Sequence, residues 1–414
     1  MNRIETSPSS VDAATQIRAI ADSCVKCGLC IERCPSYRVL QREQDSPRGR
    51  IALAAALAQG QLAADDATAL AALDRCLNCG TCTRVCPADV HFDRLIDLTR
   101  AAFPAPEPAA RRGARWLTRH RGVLRVLRPL ARSLARSPLR RALPEASASA
   151  AMLDVMAHSS RVDDTRPAPA FTPAIALRRG SVALFRGCVA GTLDADTQQA
   201  AARVLACLGF DVHMPGANHC CGALDRHHGD AREAATRGDD AHARYRAVPV
   251  SHVLGTVSGC HAQLRDHVFT DATLAYDDLF EFLDRDTVLP TLVHRALPLR
   301  IALHVPCTQR DVAGKDTALR RVLARIPGLD IASLPEEPVC CGAAGTYFAD
   351  HPRIANALRD ERVTQVRQQS PDRVLTTNIG CRMHLAAGLA NAGVAVPVVH
   401  PITLLELALR ESAA

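Results

Sequence analysis

The sequence predicts a helical, metal-binding domain over residues 1–105, followed by two α/β lobes that share one pattern and are related by a pseudo-twofold. Three observations predict it. Two cysteine runs near the N-terminus flank a segment with helical apolar spacing. The second half of the chain repeats itself, with β-like runs alternating with helical stretches. Between the two halves lies an arginine-rich segment without a single acidic residue. The 414 residues, 48% hydrophobic and 22% charged, fit a globular chain of two or three domains. Aromatics are only 3%, so alanine, leucine and valine on helices must supply much of the core.

Seventeen cysteines are the compositional outlier. Met1 to Ser10 carries no apolar stretch of the kind that leads a secreted chain. The Ala/Leu run from Ile51 to Leu73 is interrupted by Gln59, Gly60, Gln61, Asp65 and Asp66, so it is no membrane span. The expected location is the cytoplasm, including the cytoplasmic face of the inner membrane. Thiols stay reduced there, and so many cysteines argue for metal.

Cys24-Val-Lys-Cys27-Gly-Leu-Cys30-Ile-Glu-Arg-Cys34-Pro35 reads C-x2-C-x2-C-x3-C-P, and Cys76-Leu-Asn-Cys79-Gly-Thr-Cys82-Thr-Arg-Val-Cys86-Pro87 reads the same. This is the bacterial ferredoxin run: three thiolates wrap three corners of one iron–sulfur cube, and the fourth reaches the other cluster. Cys24, Cys27, Cys30 and Cys86 are therefore assigned to one [4Fe–4S] cluster, and Cys76, Cys79, Cys82 and Cys34 to the other. Gly28 and Gly80 recur where the backbone must turn. Structural zinc favours two separated C-x2-C pairs instead. The 41 residues between the runs include helical spacing from Arg50 to Leu73. That insert resembles the helical cluster domain of succinate dehydrogenase's iron–sulfur subunit.

Residues 106–175 read as basic amphipathic helices and a linker. From Pro108 to Pro144 there are 11 arginines and no Asp or Glu, against 50 basic and 43 acidic residues in the whole chain. Without this segment the balance is 39 to 43, so the net +7 resides here. Arg121, Arg125, Arg128, Arg132 and Arg136 step by three or four beside Leu124, Leu127, Leu130 and Leu134, with Pro129 and Pro138 as breaks. The pattern reads as a docking surface for an acidic partner or an anionic membrane face, or as a solvated helix. Nucleic acid is not expected as a partner, since base-stacking aromatics are scarce. Ala146 to Pro173, rich in Ala, Ser and Pro, reads as a linker. Trp116 reads as an apolar anchor of the basic helix.

The lobes span 176–297 and 298–414. "SVALFRGCV" matches "RIALHVPCT", "GANHCCGAL" matches "PEEPVCCGAA", and "HVLGTVSGCHAQL" matches "RVLTTNIGCRMHL". Cys188 and Cys220 are separated by 31 residues, Cys307 and Cys340 by 32; Cys221 and Cys260 by 38, Cys341 and Cys381 by 39. Strands alternating with helices place such cysteines at strand ends, where open α/β sheets carry their sites. Cys188, Cys220, Cys221, Cys260 and their counterparts Cys307, Cys340, Cys341, Cys381 are candidates for a further iron–sulfur centre, or the vicinal pairs for redox thiols. His219, His261 and His304 adjoin these cysteines and are candidates to tune or ligate a cluster. Cys207, at a helical position in "VLACLGF", reads as core.

The twin Cys-Pro runs, the "DSPRGRI" after the first, and two "C…CCG…C" lobes resemble the iron–sulfur subunit of bacterial glycolate dehydrogenase (glycolate oxidase), over nearly the whole chain. The resemblance implies a non-flavin subunit that takes electrons from an FAD-binding oxidase subunit and passes them towards quinone, glycolate being oxidised to glyoxylate. The lobes are shared more widely, with heterodisulfide reductase, the anaerobic glycerol-3-phosphate dehydrogenase anchor subunit and lactate-utilisation proteins. A related lactate or glycerol-3-phosphate dehydrogenase subunit, or a thiol–disulfide reductase, is therefore the alternative. The endings Cys260-His-Ala-Gln263 and Cys381-Arg-Met-His384 lack the fifth cysteine of the heterodisulfide reductase type. His304-Val-Pro-Cys307-Thr308 departs from the related His-Asp-x-Cys-His.

Overall fold

The "DSPRGRI" stretch builds the first helix that frames a site. Ser46 caps helix Pro47–Ala58 by accepting from the Gly49 amide at 3.0 Å, and Pro47 takes the position where a missing amide costs nothing. Gly49 is obligatory, because a Cβ there would lie 2.0 Å from the Glu43 carbonyl oxygen. The helical spacing from Arg50 to Leu73 resolves into two helices, Pro47–Ala58 and Ala67–Asp74, parted by a turn at Gly60 and restarted by an Asp66 cap. With helices Ser10–Asp22 and Phe92–Ala102 they bury Ile17, Leu57, Leu70, Leu95 and Ile96.

The computed structural model describes residues 10–159, 178–215, 219–271, 273–292, 295–312, 314, 316–335 and 340–409. Each half of the repeat forms a four-stranded parallel sheet. The first has β1 (Gly180–Phe185), β2 (Phe210–His213), β3 (His252–Gly255) and β4 (Ala275–Asp278) in the order β2-β1-β3-β4. The second has β5 (Arg300–Leu303), β6 (Asp330–Ser333), β7 (Arg373–Leu375) and β8 (Val398–Val399) in the order β6-β5-β7-β8. Both are parallel throughout, with Val182 opposite Val212 and His252, and Ile301 opposite Ile331 and Arg373. In both, the winding direction reverses between the first and third strands, which opens a crevice at their carboxyl ends.

The lobes share one core. Helix Ala195–Cys207 of the first packs on helix Pro401–Leu409 of the second, and helix Leu279–Arg285 of the first packs on Asp316–Ala324 of the second. Leu205, Leu283, Leu319 and Leu405 are buried there, each contributing about 1.5–3 kcal/mol by leaving water. Cys207 is buried in the same helix, which pushes its thiol up to about 11.

Three expectations for the middle segment need correction. About a third of the presumed linker is a helix, Ala148–Ala157, capped by Ser147, with Ala150, Ala151, Val155 and Met156 buried. Its alanines are helix formers once a cap starts them; residues 160–173 of the presumed linker lie outside the described residues. Pro129 does not break the basic helix, which runs Arg121–Ala135; the break falls before it, at His120. Trp116 is no anchor: it is 48% exposed and stacks on His120 at 4.2 Å.

Several arginines of this segment turn inward. Arg111 bridges Asp74 at 2.8 Å and Asp350 at 2.9 Å. Arg115 reaches Asp225 at 2.8 Å and Asp230 at 3.0 Å, and Arg140 grips Asp154 at 2.6 Å. Helix Ala109–Arg119 thus straps the N-terminal domain to both lobes.

Gly222 and Gly342 have φ of +85° and +80°, and a Cβ on them would meet the carbonyl oxygens of Ala234 at 2.5 Å and Ala355 at 2.4 Å. Gly342→Ala should lower folding stability by at least ~1–3 kcal/mol, the scale of one enforced backbone strain. Gly222→Ala should do the same. Thermal unfolding of each variant checks this; an unchanged midpoint would contradict the packing described.

Candidate metal centres

Cys24, Cys27, Cys30 and Cys86 line one recess, of about 440 Å³, to which Cys82 and Pro87 also contribute. Cys34, Cys76, Cys79 and Cys82 line a second, of about 340 Å³, with Arg50 and Phe92 in its wall. Each run therefore sends its last cysteine to the recess that the other run's first three surround. The local backbone repeats too: Lys26 and Asn78 have φ of 58° and 50°, Gly28 and Gly80 of 86° and 73°. The first recess is at the surface, with Cys27 exposed between Val25 at 69% and Leu29 at 61% exposure. The second is deeper, and Cys34 and Cys79 are buried.

The donor set fits iron–sulfur clusters. All 17 cysteines are free thiols. Burial pushes the Cys30 thiol up to about 11 and drives Cys82 well up, with the neighbouring Cys79 adding to the latter. Such thiols ionise when a metal takes the proton's place. Arg50, 1% exposed, sits beside the second recess. It donates to Ala72 O at 2.8 Å, Cys34 Sγ at 3.7 Å and Asp45 Oδ1 at 3.4 Å. Burial works against its charge, but Cys76, Cys34 and Asp45 outweigh that and hold its pKa above the ordinary value. Asp45 is held in turn by Arg75 at 2.8 Å.

In each lobe the four cysteines converge at the crevice. Cys188 contacts Cys220, Cys220 contacts Cys221, and Cys221 contacts Cys260 through their thiols. The chain Cys307–Cys340–Cys341–Cys381 repeats it, with 2.8 Å between the sulfurs of Cys341 and Cys381. Hydrogen bonds from the flanking thiols pull Cys220 and Cys340 well below the ordinary thiol range. The amides of Gly222 and Gly342 donate to the same sulfurs at 3.4 and 3.3 Å. The vicinal pair is thus two neighbouring links of a four-sulfur chain.

The second lobe lies against the deeper N-terminal recess. Cys79 shares an apolar cluster with Cys340, and Cys307 packs against it. Thr81 donates to Asp311 at 2.7 Å, and a Cβ on Gly80 would meet Val312 at 2.9 Å. Tyr347 Oη donates to Arg75 O at 3.0 Å.

The three flanking histidines differ. His219 faces Asp240 at 3.5 Å, and His261 packs on Tyr276 with ring centres 5.3 Å apart. A ring nitrogen of His304 and the sulfurs of Cys341 and Cys381 all lie within 4.8 Å of one another. Burial, then Arg362 and Arg310, hold its imidazole well below the ordinary range. The sequence did not single out Arg237 and Arg362, whose charges favour the thiolates of Cys220 and Cys340. Both come from the helices that pack on Gly222 and Gly342, and nothing in their spacing marks them.

Two cysteine-lined recesses in a helical domain, set against twin α/β lobes with four converging cysteines each, define an iron–sulfur electron-transfer protein. Residues 20–90 match the family described as a 4Fe-4S dicluster domain, and residues 182–265 and 301–386 each match the cysteine-rich CCG domain. The chain is 31% identical over 400 residues to the glycolate oxidase iron-sulfur subunit of Escherichia coli K12, covering 90% of this chain and 92% of that one. It is 28% identical to the probable glycolate oxidase iron-sulfur subunit of Bacillus subtilis 168, covering 92% and 93%. The chain belongs to the family of glycolate oxidase iron–sulfur subunits. No helix among the described residues is long and apolar enough to cross a membrane.

Arg50→Gln removes the buried positive charge beside Cys34. A nearby positive charge favours the reduced, more negative state, so the midpoint of the centre held there should fall by tens of millivolts. Redox titration with full iron content and an unchanged midpoint would contradict this role.

Proposed function

We propose that this chain is the electron-relaying, non-flavin subunit of a flavin-dependent 2-hydroxy-acid dehydrogenase, with glycolate as substrate and glyoxylate as product of the FAD-binding partner. The observation that carries it is that Cys79 and Cys340 lie in one buried cluster against which Cys307 packs, near enough for the charges of Cys79 and Cys340 to interact, which sets three cysteine groups in a row. Cys24, Cys27, Cys30 and Cys86 form the exposed end; Cys34, Cys76, Cys79 and Cys82 the buried middle; Cys307, Cys340, Cys341 and Cys381 the inner end. Iron–sulfur clusters held by such sets supply one-electron carriers: two [4Fe–4S] clusters in the first two sets and a further centre in the lobes.

The surrounding residues suit that task. Exposed Val25 and Leu29 flank the outer set and offer an apolar contact for a redox partner. Arg50 and Arg75 offset negative charge at the middle set. The common strand order and the reciprocal helix exchange support a pseudo-twofold relation between the lobes. Val126, Leu130, Leu134 and Leu139 stand exposed along the basic segment, a second surface for the FAD subunit or the inner-membrane face, where quinone would be the acceptor. Arg132 is not available for that docking, because it caps the carbonyls of Ala157 and Ser159.

The ligand sets are tested by paired substitutions in the full chain. Cys86→Ser should disturb the centre of the first run and Cys34→Ser that of the second, seen as loss of distinct signals by electron paramagnetic resonance. Signals lost in the uncrossed pattern would refute the assignment. In complex with the FAD subunit, Cys340→Ser should leave flavin reduction by glycolate intact and cut dye reduction at least tenfold. Equal dye reduction would remove the second lobe from the path. Glycolate failing to reduce the flavin where another 2-hydroxy acid succeeds would reassign the substrate.

A further inference from the structure

His304 directly follows β5, three residues before Cys307, at the mouth of the second sheet. Its side chain is 2% exposed, and its Nε2 has no hydrogen-bond partner. A buried ring nitrogen left so costs about 1–3 kcal/mol, and protein interiors rarely leave one without a reason. A ring nitrogen lies within 4.8 Å of the sulfurs of Cys341 and Cys381, which are themselves buried. Among the described residues this is the one cluster in which a histidine joins cysteines at metal-ligand spacing. The equivalent position in the first lobe, three residues before Cys188, is Phe185, which packs against Tyr245 and Phe269. His384, one helical turn beyond Cys381, is engaged instead with Ala355 O at 3.3 Å.

We propose that His304 is a metal ligand of the second lobe, completing with Cys307, Cys340, Cys341 and Cys381 a four-thiolate, one-imidazole site, whereas the first lobe offers thiolates alone. The proposal rests on the reading that the lobe cysteines hold an iron–sulfur centre. It makes the lobes chemically unequal despite their common pattern. An imidazole in place of a thiolate brings no negative charge, and such exchange raises the potential of iron–sulfur centres. A thiolate put in place of His304 would therefore add negative charge and lower the potential of the second-lobe centre.

The test uses the full chain purified anaerobically, with histidine carrying nitrogen-15 in one preparation and nitrogen-14 in the other. Pulsed electron paramagnetic resonance of the reduced protein should show a strongly coupled nitrogen whose coupling changes with the isotope. That coupling should be lost in His304→Gln. His304→Cys should keep the lobe iron and lower the midpoint of that centre. Should His304→Gln fail to fold, the isotope comparison on the native sequence still decides. A lobe signal that disappears in Cys341→Ser yet shows no nitrogen coupling overturns the ligand role of His304 and leaves the lobe centre standing. Iron content that is the same with and without Cys341→Ser overturns both.

Discussion

In each lobe the Cys-Cys-Gly turn presses against a helix further along, Ala231–Arg246 or Pro352–Gln369, so closely that a Cβ on the glycine would sit 2.5 or 2.4 Å from a carbonyl oxygen. Only a glycine at positive φ fits. That close approach holds two adjacent cysteines at the mouth of a parallel sheet. The strand order then brings the other two from the ends of the first and third strands. Remove the close approach and the four sulfurs no longer share a centre. The same helices also carry Arg237 and Arg362 to the vicinal pairs, so one packing constraint places both the ligands and their countercharge.

The second constraint is the strap of arginines. Arg111 holds Asp74 of the N-terminal domain and Asp350 of the second lobe, while Arg115 holds Asp225 of the first. Arg100 adds a bond from the N-terminal domain to His227 O of the first lobe at 2.8 Å. Arg111, Arg115, Arg132 and Arg140 of the basic segment are thus consumed in fixing the chain's own parts. The shared cluster of Cys79 and Cys340 is built by separate elements, and these ion pairs tie those elements together.

Much of this was legible in the sequence. Ligand spacing carries its chemistry locally, so the two Cys-Pro runs point to iron–sulfur binding, and the repeat announces two lobes before any strand is placed. The remainder depends on residues far apart. Asp74, Asp225 and Asp350, which turn Arg111 and Arg115 inward, are scattered over nearly the whole chain, so the arginine pattern alone does not mark these two as internal. Helix Ala148–Ala157 was hidden by its Ser and Ala content, because composition alone does not show that Ser147 is a cap. His304 could be noticed beside Cys307, but only the pairing of β5 with β7 sets it near Cys381 and separates it from His219 and His261.

The central claim is that the buried N-terminal set and the second lobe form one continuous relay. It is tested most directly by magnetic coupling between reduced centres in the full chain. The account predicts more iron than the roughly eight atoms of two [4Fe–4S] clusters. It also predicts a broadened, interacting spectrum that sharpens to isolated signals in Cys340→Ser, with the N-terminal iron retained. About eight irons, and a spectrum identical with and without Cys340, would contradict it.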